Sequence, residues 1–379
     1  MTDTFQLEVT QGDVTGAIQN LLRDALGLEG IDAVLVPRRS SLTGTIMPAL
    51  VRSSDHLDQA DPLAPAFFLN AAKIASRLTR KSSDSHILMV LRPCEIRALF
   101  ELVKLNQARL AEVTILGCDC LGAYRNLDYL RFFKSESAGR RFQDHILNGG
   151  SGEMEGLSLA PACRICEHPF PDGADVAIGL FGVDTAHHLM MSAQTEKGLA
   201  LVNALHLAPM PAPAARQAAI DKRTATNLQA RDDVFLATHA ATDSLAKLAA
   251  YLGACVNCYN CRIACPVCYC RECVFVTDVF DHDPAQYMLW ADRRGSLKMP
   301  TDTLFYHLTR MAHMSTACVG CGQCSNACPN NIPLVELFRA IAHRTQRAFG
   351  YEAGRSIDER PPLSEFREHE FEEIVGLKT

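Results

Sequence analysis

Cys255-Val-Asn-Cys258-Tyr-Asn-Cys261-Arg-Ile-Ala-Cys265-Pro266 is the stretch that decides the fold of this chain. The same spacing returns as Cys318-Val-Gly-Cys321-Gly-Gln-Cys324-Ser-Asn-Ala-Cys328-Pro329. Each copy has the pattern C-x2-C-x2-C-x3-C-P, which is typical of proteins that bind two [4Fe-4S] clusters. In such proteins the fourth cysteine of each run binds the other cluster. The sequence therefore predicts two clusters whose ligand sets are exchanged between the two motifs.

The predicted ligands follow directly from this exchange. The first cluster takes Cys255, Cys258, Cys261 and Cys328, and the second takes Cys318, Cys321, Cys324 and Cys265. Three thiolates two residues apart on a tight turn can reach three corners of one cube, and the fourth corner needs a distant sulfur. Zinc ribbons also use C-x2-C pairs, but a zinc site built from two such pairs does not explain the third cysteine and the final C-P of each motif.

The composition is that of an ordinary soluble protein with several domains. The chain has 379 residues, 48% of them hydrophobic and 21% charged, and a net charge of −6. This length suffices for two or three domains. A mildly acidic chain without basic runs gives no support for nucleic acid as a partner. No stretch approaches the roughly 20 apolar residues that span a bilayer, so we expect no membrane span.

The sixteen cysteines indicate metal binding rather than disulfides. The first residues, Met1-Thr-Asp-Thr-Phe-Gln, have neither the basic region nor the apolar region of a secretory signal. Disulfides persist mainly in oxidising compartments. We therefore expect a cytoplasmic protein whose thiols bind metal.

The N-terminal part predicts an α/β domain with a largely parallel sheet. Residues 87–91 form a buried strand pattern, Ile96, Leu99 and Phe100 mark a helix face, and residues 113–116 are strand-like again. Such a β-α-β unit favours parallel strands. Other predicted elements are a helix from Asp13 to Gly27, strands at 33–36, 46–51 and 175–180, and a helix at about 66–78.

The chain divides into four predicted segments. They are an α/β domain at 1–208, a helical connector at 209–240, an α-helical ferredoxin domain with two clusters at 241–346, and a charged tail at 347–379. Helical patterns run into both cysteine motifs and out of the second one. This module resembles the α-helical dicluster ferredoxin domain of heterodisulfide reductase and succinate dehydrogenase subunits. The tail is expected to be solvated or to dock a partner.

Five further cysteines precede residue 170, and four of them could form a third metal site. Cys94 follows a predicted strand and begins a helix, a position where open α/β sheets bind ligands. The predicted third [4Fe-4S] cluster has the ligands Cys94, Cys120, Cys163 and Cys166. Buried unligated thiols or a zinc site are the alternatives.

The motifs around these cysteines carry a resemblance to a known family. Leu91-Arg-Pro-Cys94-Glu-Ile-Arg97, Gly117-Cys-Asp-Cys120 and Cys163-Arg-Ile-Cys166 resemble the coenzyme F420 hydrogenase/dehydrogenase β-subunit family over about residues 30–205. The dicluster module resembles that of the longer formate dehydrogenase β subunits. The resemblance implies FAD, an iron–sulfur cluster in the α/β domain, a metal-centred partner subunit and a soluble electron carrier, which could be F420, NAD(P) or ferredoxin.

The flavin site has the weakest signal in the sequence. There is no G-x-G-x-x-G after a strand, so a Rossmann-type site is not supported. Arg92, Arg97 and Lys104, around the predicted β-α turn, are candidates for binding the flavin pyrophosphate. The glycine-rich bend at 148–152 could approach a cofactor closely. The alternative for each cation is an ordinary solvated side chain.

Cys268, Cys270 and Cys273 lie directly behind the first motif. They could bind a further metal together with a group from elsewhere in the chain. We favour packing around the predicted clusters, where S–H groups tune the potential.

These patterns lead to one functional hypothesis with two rivals. The chain is predicted to be a flavin and iron–sulfur electron-transfer subunit of a cytoplasmic complex of the formate dehydrogenase, hydrogenase or heterodisulfide reductase type. A flavin accepts two electrons and can release them singly to clusters. The rivals are a flavin-free iron–sulfur conduit and a redox-sensing iron–sulfur protein.

Overall fold

A computed structural model describes residues 3–132, 137–270, 272–277, 283–294 and 302–365. The strands are β1 (Asp3–Glu8), β2 (Ala33–Arg39), β3 (Ile46–Val51), β4 (Ile87–Leu91), β5 (Val113–Cys118), β6 (Val176–Gly179), β7 (His188–Ala193) and β8 (Ala208–Pro209). The helices before residue 210 are α1 (Val14–Leu26), α2 (Ala72–Thr79), α3 (Pro93–Lys104), α4 (Asn126–Phe132), α5 (Ser137–Leu147), α6 (Pro161–Arg164) and α7 (Glu196–Ala204). Those after it are α8 (Arg216–Thr242), α9 (Leu245–Tyr251), α10 (Asn260–Ala264), α11 (Pro284–Arg294), α12 (Asp302–Met314), α13 (Gln323–Asn326) and α14 (Leu334–Ala348).

The eight strands form one mixed sheet in the order β3-β2-β4-β5-β6-β7-β1-β8. The central strands β2, β4, β5 and β6 are parallel, and the predicted β4-α3-β5 unit is confirmed. The expectation of a largely parallel sheet is not confirmed, because β3 and the pairs among β6, β7, β1 and β8 are antiparallel. Parallel neighbours need a crossover of a dozen or more residues, and the β2–β3 and β6–β7 connections are shorter than that.

Apolar helices cover both faces of the sheet. Ile18 and Leu22 of α1 belong to one core, and Ile96 and Leu99 of α3 belong to the other. Each of these four side chains is fully buried, which typically contributes about 1.5–3 kcal/mol per side chain. The cores fix α1 and α3 against the strands and therefore fix the strand ends where the cysteines lie.

The start of α3 is held by a capping box. Pro93 occupies the first turn, where a missing N–H does no harm. The buried Glu95 carboxylate accepts hydrogen bonds from the backbone N–H groups of Arg92 at 2.9 Å and Ala71 at 2.6 Å. The bond from Arg92 satisfies a free donor at the start of α3, and the bond from Ala71 ties α3 to the start of α2. They also fix the backbone on both sides of Cys94.

The C-terminal half is helical and has a core of its own. Leu252, Phe275, Tyr306 and Phe338 pack together with the cysteine motifs around them. The segment 209–240, predicted as a helical connector, contains most of α8, which packs along α14. Among the described residues, no helix is both long enough and apolar enough to cross a bilayer.

The segment predicted as a charged tail begins inside the protein instead. Tyr351 is 6% exposed and Ala353 is fully buried. The Tyr351 hydroxyl and the Gly354 N–H donate to Glu101 of α3 at 2.6 and 2.7 Å. An apolar ring and a buried acceptor thus hold residues 351–354 on the α/β domain. Residues 366–379 of the predicted tail lie outside the described residues.

Candidate metal centres

The structure brings the first predicted ligand set together around one cavity. Cys255, Cys258, Cys261 and Cys328 all line it. Asn257 and Tyr259 have left-handed backbone torsions, with φ of 51° and 57°, which tighten the turn between the cysteines. Positive φ is uncommon in residues other than glycine. The turn therefore places three sulfurs on one side, and the loop after α13 supplies the fourth.

The second predicted set is also assembled. Burial and the nearby Cys265 thiol raise the pKa of Cys318 to about 11. Burial and Cys265 likewise raise the pKa of Cys321. Burial raises the pKa of Cys324 as well, against the effect of the Arg310 charge and with a further contribution from Cys265. Cys265 of the first motif thus lies close enough to all three cysteines of the second motif to raise their pKa values, which agrees with the exchanged pattern.

The third predicted set lines one cavity between the two halves of the chain. Cys94 lies in the first turn of α3, Cys120 follows β5, and Cys163 and Cys166 lie in and after α6. All four line this cavity, and Cys321 of the second set lines it too. The N–H of Cys120 donates to the carbonyl of Pro169 at 2.8 Å, which ties two of the cysteine segments together.

The first and third groups each line one cavity. Within the ranges the structure describes, no three His, Cys, Asp or Glu side chains converge as a site for one metal ion. A zinc ion holds its sulfurs at about 2.3 Å from one centre. In a [4Fe-4S] cluster each cysteine binds a different iron, so the sulfurs surround a larger object and do not need to converge.

The remaining cysteines have other environments. Cys118 is 4% exposed in the core of the α/β domain, and burial with the neighbouring Asp119 raises its pKa to about 12. Cys268 and Cys273 pack against the C-terminal core, whereas Cys270 is exposed. Burial raises the pKa of Cys268 to about 11. Packing around the predicted clusters stays our interpretation of Cys268 and Cys273.

Arg92 is a buried cation beside the third group. Its guanidinium donates to the carbonyls of Ala64 and Ala66 at 2.6 and 2.7 Å and lies over the Phe67 ring. It also lines the cavity of the third group. Burial opposes its charge, but the thiol of Cys120 and other nearby groups outweigh burial and raise the pKa of Arg92. Arg92 is therefore placed to offset the negative charge of thiolates in this cavity.

The three cations predicted for a flavin do not converge. Lys104 is buried beside Glu101, with Nζ and Oε1 2.6 Å apart, and lies over the Tyr351 ring. Arg97 donates to Glu352 at 2.9 Å and lines a separate cavity of about 340 Å³. Arg92 faces the third cysteine group, as described above. The bend at 148–152 packs against His145 and Leu159.

We call this 340 Å³ space the arginine cavity. Its charged and polar lining comprises Arg97, Glu167, His168, Thr224, Arg231, Cys318, Arg339, His343, Gln346, Arg347, Tyr351 and Glu352. The lining comes from α3, α8, α14 and the segments around 167 and 351, which sequence reasoning did not connect. A signal was present on α14, where Arg339, His343 and Arg347 recur every four residues and so share one helix face.

Arg339 links this cavity to the third cysteine group. Its side chain donates to the carbonyl of Ile165 at 2.6 Å and to the Glu167 carboxylate. Burial opposes ionisation of Glu167, but Arg339 outweighs burial and, with His168, lowers the pKa of Glu167 to about 2. His168 itself has a pKa lowered to about 4 by burial and by the charge of Arg97. Glu167 is therefore charged and His168 neutral at physiological pH.

Three adjacent thiol groups are held by an α/β domain and a helical domain, and the relatives that the chain matches identify it as an iron–sulfur oxidoreductase subunit. Residues 251–332 match the family described as the 4Fe-4S dicluster domain. The chain is 25% identical over 373 residues to F420-dependent formate dehydrogenase subunit beta of Methanocaldococcus jannaschii, covering 92% of this chain and 93% of that protein. It is 27% identical over 383 residues to F420-dependent formate dehydrogenase 1 subunit beta of Methanococcus maripaludis, covering 93% of each.

The resemblance to these β subunits, predicted from the cysteine motifs, is thus confirmed over nearly the whole chain. Among solved structures, a chain of the F420-reducing [NiFe] hydrogenase complex from Methanosarcina barkeri overlays with a TM-score of 0.44 and 13% identity. The overlay covers 64% of this chain and 94% of that chain.

Proposed function

We propose that this chain is the electron-transfer β subunit of a formate dehydrogenase-type complex and binds three [4Fe-4S] clusters in the three cysteine groups. The observation that carries this proposal is the shared cavity of the third group. Cys321 of the second group lines it together with the four N-terminal cysteines. Cys265 and Cys328 connect the second and first groups by exchange between the motifs. The three groups therefore follow one another in a row.

A close backbone contact supports this row. Gly322 has a φ of +76°, and a Cβ placed there would lie 2.4 Å from the Cβ of Ala162. These two residues adjoin Cys321 and Cys163, so the motifs of the second and third groups touch. Gln323 and Asn326 each donate to the carbonyl of Phe67, at 2.8 and 2.9 Å. These bonds hold α13 on the α/β domain.

The donor chemistry fits the clusters. Soft thiolate ligands, four to a site, are the usual ligands of iron–sulfur clusters. Burial and the neighbouring Cys120 raise the pKa of Cys163 to about 12. Such a thiol keeps its proton at neutral pH unless a metal is bound, and coordination to a metal deprotonates it outright. Bound clusters supply one-electron storage, and the protein positions them in sequence.

The arginine cavity is our proposed flavin site, in place of the three cations at the β-α turn. Of those three it keeps Arg97. Its volume lies in the range of ligand pockets, and arginine side chains suit phosphate groups. Cys318 of the second group lines it, and His168 lines both this cavity and that of the third group. A flavin bound there would convert between two-electron and one-electron transfer beside both groups.

The proposed order is carrier, flavin, third cluster, second cluster, first cluster and partner subunit. Cys258 of the first group is exposed, which suits the partner end of the row. The carrier is proposed to be F420, as the names of the relatives indicate for those proteins. Reduction of F420, NAD(P) and a ferredoxin by the complete complex, measured side by side, would identify it.

The decisive experiment is an anaerobic count of iron, sulfide and flavin per chain. We expect three clusters and one flavin in the wild-type protein. Cys120→Ala should lose one cluster, whereas Cys118→Ala should keep all iron because Cys118 belongs to the apolar core. Zinc-containing or colourless protein would overturn the proposal. Three clusters without flavin would leave the electron row intact and select the flavin-free conduit, in which the α/β domain only docks a partner.

A further inference from the structure

We infer that helix α12 raises the reduction potential of the first cluster through hydrogen bonds from three of its side chains to the cluster's cysteine sulfurs. This inference rests on the cluster assignment proposed above and adds a role for residues outside both cysteine motifs. Tyr306, His307 and Arg310 lie within about one turn of α12. They carry no part of the ligand pattern.

The contacts are direct. Arg310 Nη1 donates to Cys261 Sγ at 3.0 Å, and Nη2 donates to the Cys261 carbonyl at 3.2 Å. The Tyr306 hydroxyl lies 3.4 Å from the same sulfur. His307 Nε2 lies 3.3 Å from Cys255 Sγ. Two cysteine sulfurs of the first group are thus contacted by three hydrogen-bonding side chains of one helix.

The direction of these hydrogen bonds follows from ligation. A cysteine bound to iron has lost its proton, so its sulfur can only accept. The Tyr306 hydroxyl and a ring N–H of His307 must then be the donors. All three side chains are buried, with exposures of 1% for Tyr306, 0% for His307 and 4% for Arg310. Water therefore competes little for these sulfurs.

Donors and positive charge raise the potential because reduction adds negative charge to the cluster. Hydrogen bonds to the sulfurs and a nearby cation stabilise the reduced form more than the oxidised form. The effect is large where burial limits screening by water. The first cluster lies at the end of the row where Cys258 is exposed, so α12 sets the potential at the end that faces the partner.

Arg310 also reaches the second group. Its positive charge interacts with the thiols of Cys265 and Cys324 in addition to Cys261. Tyr306, by contrast, bonds to Cys261 alone among the predicted ligands of the described chain. The two residues therefore predict different outcomes. Loss of Arg310 should lower the potentials of the first and second clusters, and loss of the Tyr306 hydroxyl should lower that of the first.

The test is a redox titration of the full chain followed by EPR. The signal altered by Cys258→Ser identifies the first cluster, and the signal removed by Cys120→Ala identifies the third. Tyr306→Phe should shift the first potential downward. Arg310→Gln should shift it further and move the second potential in the same direction. The third potential should stay constant in both variants and serves as an internal control.

His313→Ala is the matched control, because His313 is an exposed polar residue in the last turn of the same helix. It should leave every potential unchanged. Arg310→Gln removes a buried charge and could lose iron, but Tyr306→Phe removes a single oxygen atom and keeps the test valid. Fully loaded variants with unshifted potentials would overturn the role of α12 alone. Wild-type protein without clusters would overturn the cluster assignment itself.

Discussion

Replacing Arg339 by methionine should loosen the C-terminal half from the third cysteine group. The Arg339 side chain is 9% exposed and the Glu167 side chain 13% exposed, so the ion pair between them is largely shielded from water. Methionine fills a similar space but leaves the Glu167 carboxylate and the Ile165 carbonyl without this donor. We expect lower stability, concentrated in α14 and the segment that carries Cys163 and Cys166.

Two estimates of the loss in the free energy of unfolding agree. Removing one partner of a buried ion pair typically costs about 3–5 kcal/mol. The pKa of Glu167 falls from 4.5 to about 2 in the folded protein. A difference of this size corresponds to about 3 kcal/mol. Because the folded-state pKa is the lower one, this stabilisation is present above pH 4.5 and is lost as the pH falls toward about 2.

Thermal unfolding under anaerobic conditions would measure the effect. For 379 residues the unfolding entropy is about 0.8 kcal/mol/K, so a loss of about 3 kcal/mol lowers the midpoint by about 4 °C. Glu167→Gln combined with Arg339→Met should recover much of this loss, because no buried charge is then unpaired. The control is Arg355→Met, which breaks an ion pair whose arginine side chain is 52% exposed and should change the midpoint by less than about 1 °C.

Hydrogen exchange would locate the change. Faster exchange in α14 and around residue 165 is expected for Arg339→Met and not for Arg355→Met. An Arg339→Met protein with an unchanged midpoint and unchanged exchange would refute the reasoning, since the pair would then contribute nothing to docking.

Three further predictions concern the row of clusters and its surroundings. Gly322→Ala should lower the free energy of unfolding by about 1–2 kcal/mol because of its left-handed backbone, and should separate the second and third motifs because the new Cβ would lie 2.4 Å from the Cβ of Ala162. Freeze-quench EPR should then show slower electron exchange between the second and third clusters at unchanged iron content. An unchanged rate would argue against the proposed path. Lys104→Gln should lower stability by about 3 kcal/mol through the buried Glu101 pair but leave the flavin content unaltered; loss of flavin in an otherwise stable variant would restore Lys104 as a cofactor ligand. Cys321→Ser should remove the iron of one cluster and stop electron throughput in dye reduction, and retained iron with a normal rate would contradict its assignment.

The cysteines that the sequence patterns assign to the first and third groups each line one cavity. The turn between Cys255 and Cys261 is set by neighbouring residues, so spacing alone determines which sulfurs face the same way. The partners of the N-terminal cysteines were predicted from a general rule about strand ends, since Cys94 and Cys120 follow the ends of the adjacent parallel strands β4 and β5. The assignment of these groups to particular clusters stays a prediction that the iron count tests.

Features built from distant segments could not be predicted in this way. The strand β1 pairs with β7, nearly two hundred residues away, and neither strand has a local signal strong enough to predict its neighbour. Lys104 looked like a free cation at the end of a helix, because Tyr351, which covers it, lies 247 residues further along the chain. The arginine cavity could not be predicted from the sequence for the same reason, because at least four separate segments of the chain line it.

The contact between Gly322 and Ala162 has a consequence for how the protein matures. Gly320 and Cys321 line the same cavity as the four N-terminal cysteines, so both halves of the chain contribute to its wall. A cluster proposed for this cavity would form in contact with both halves. Delivery of metal to it would then be coupled to docking of the two halves during biogenesis.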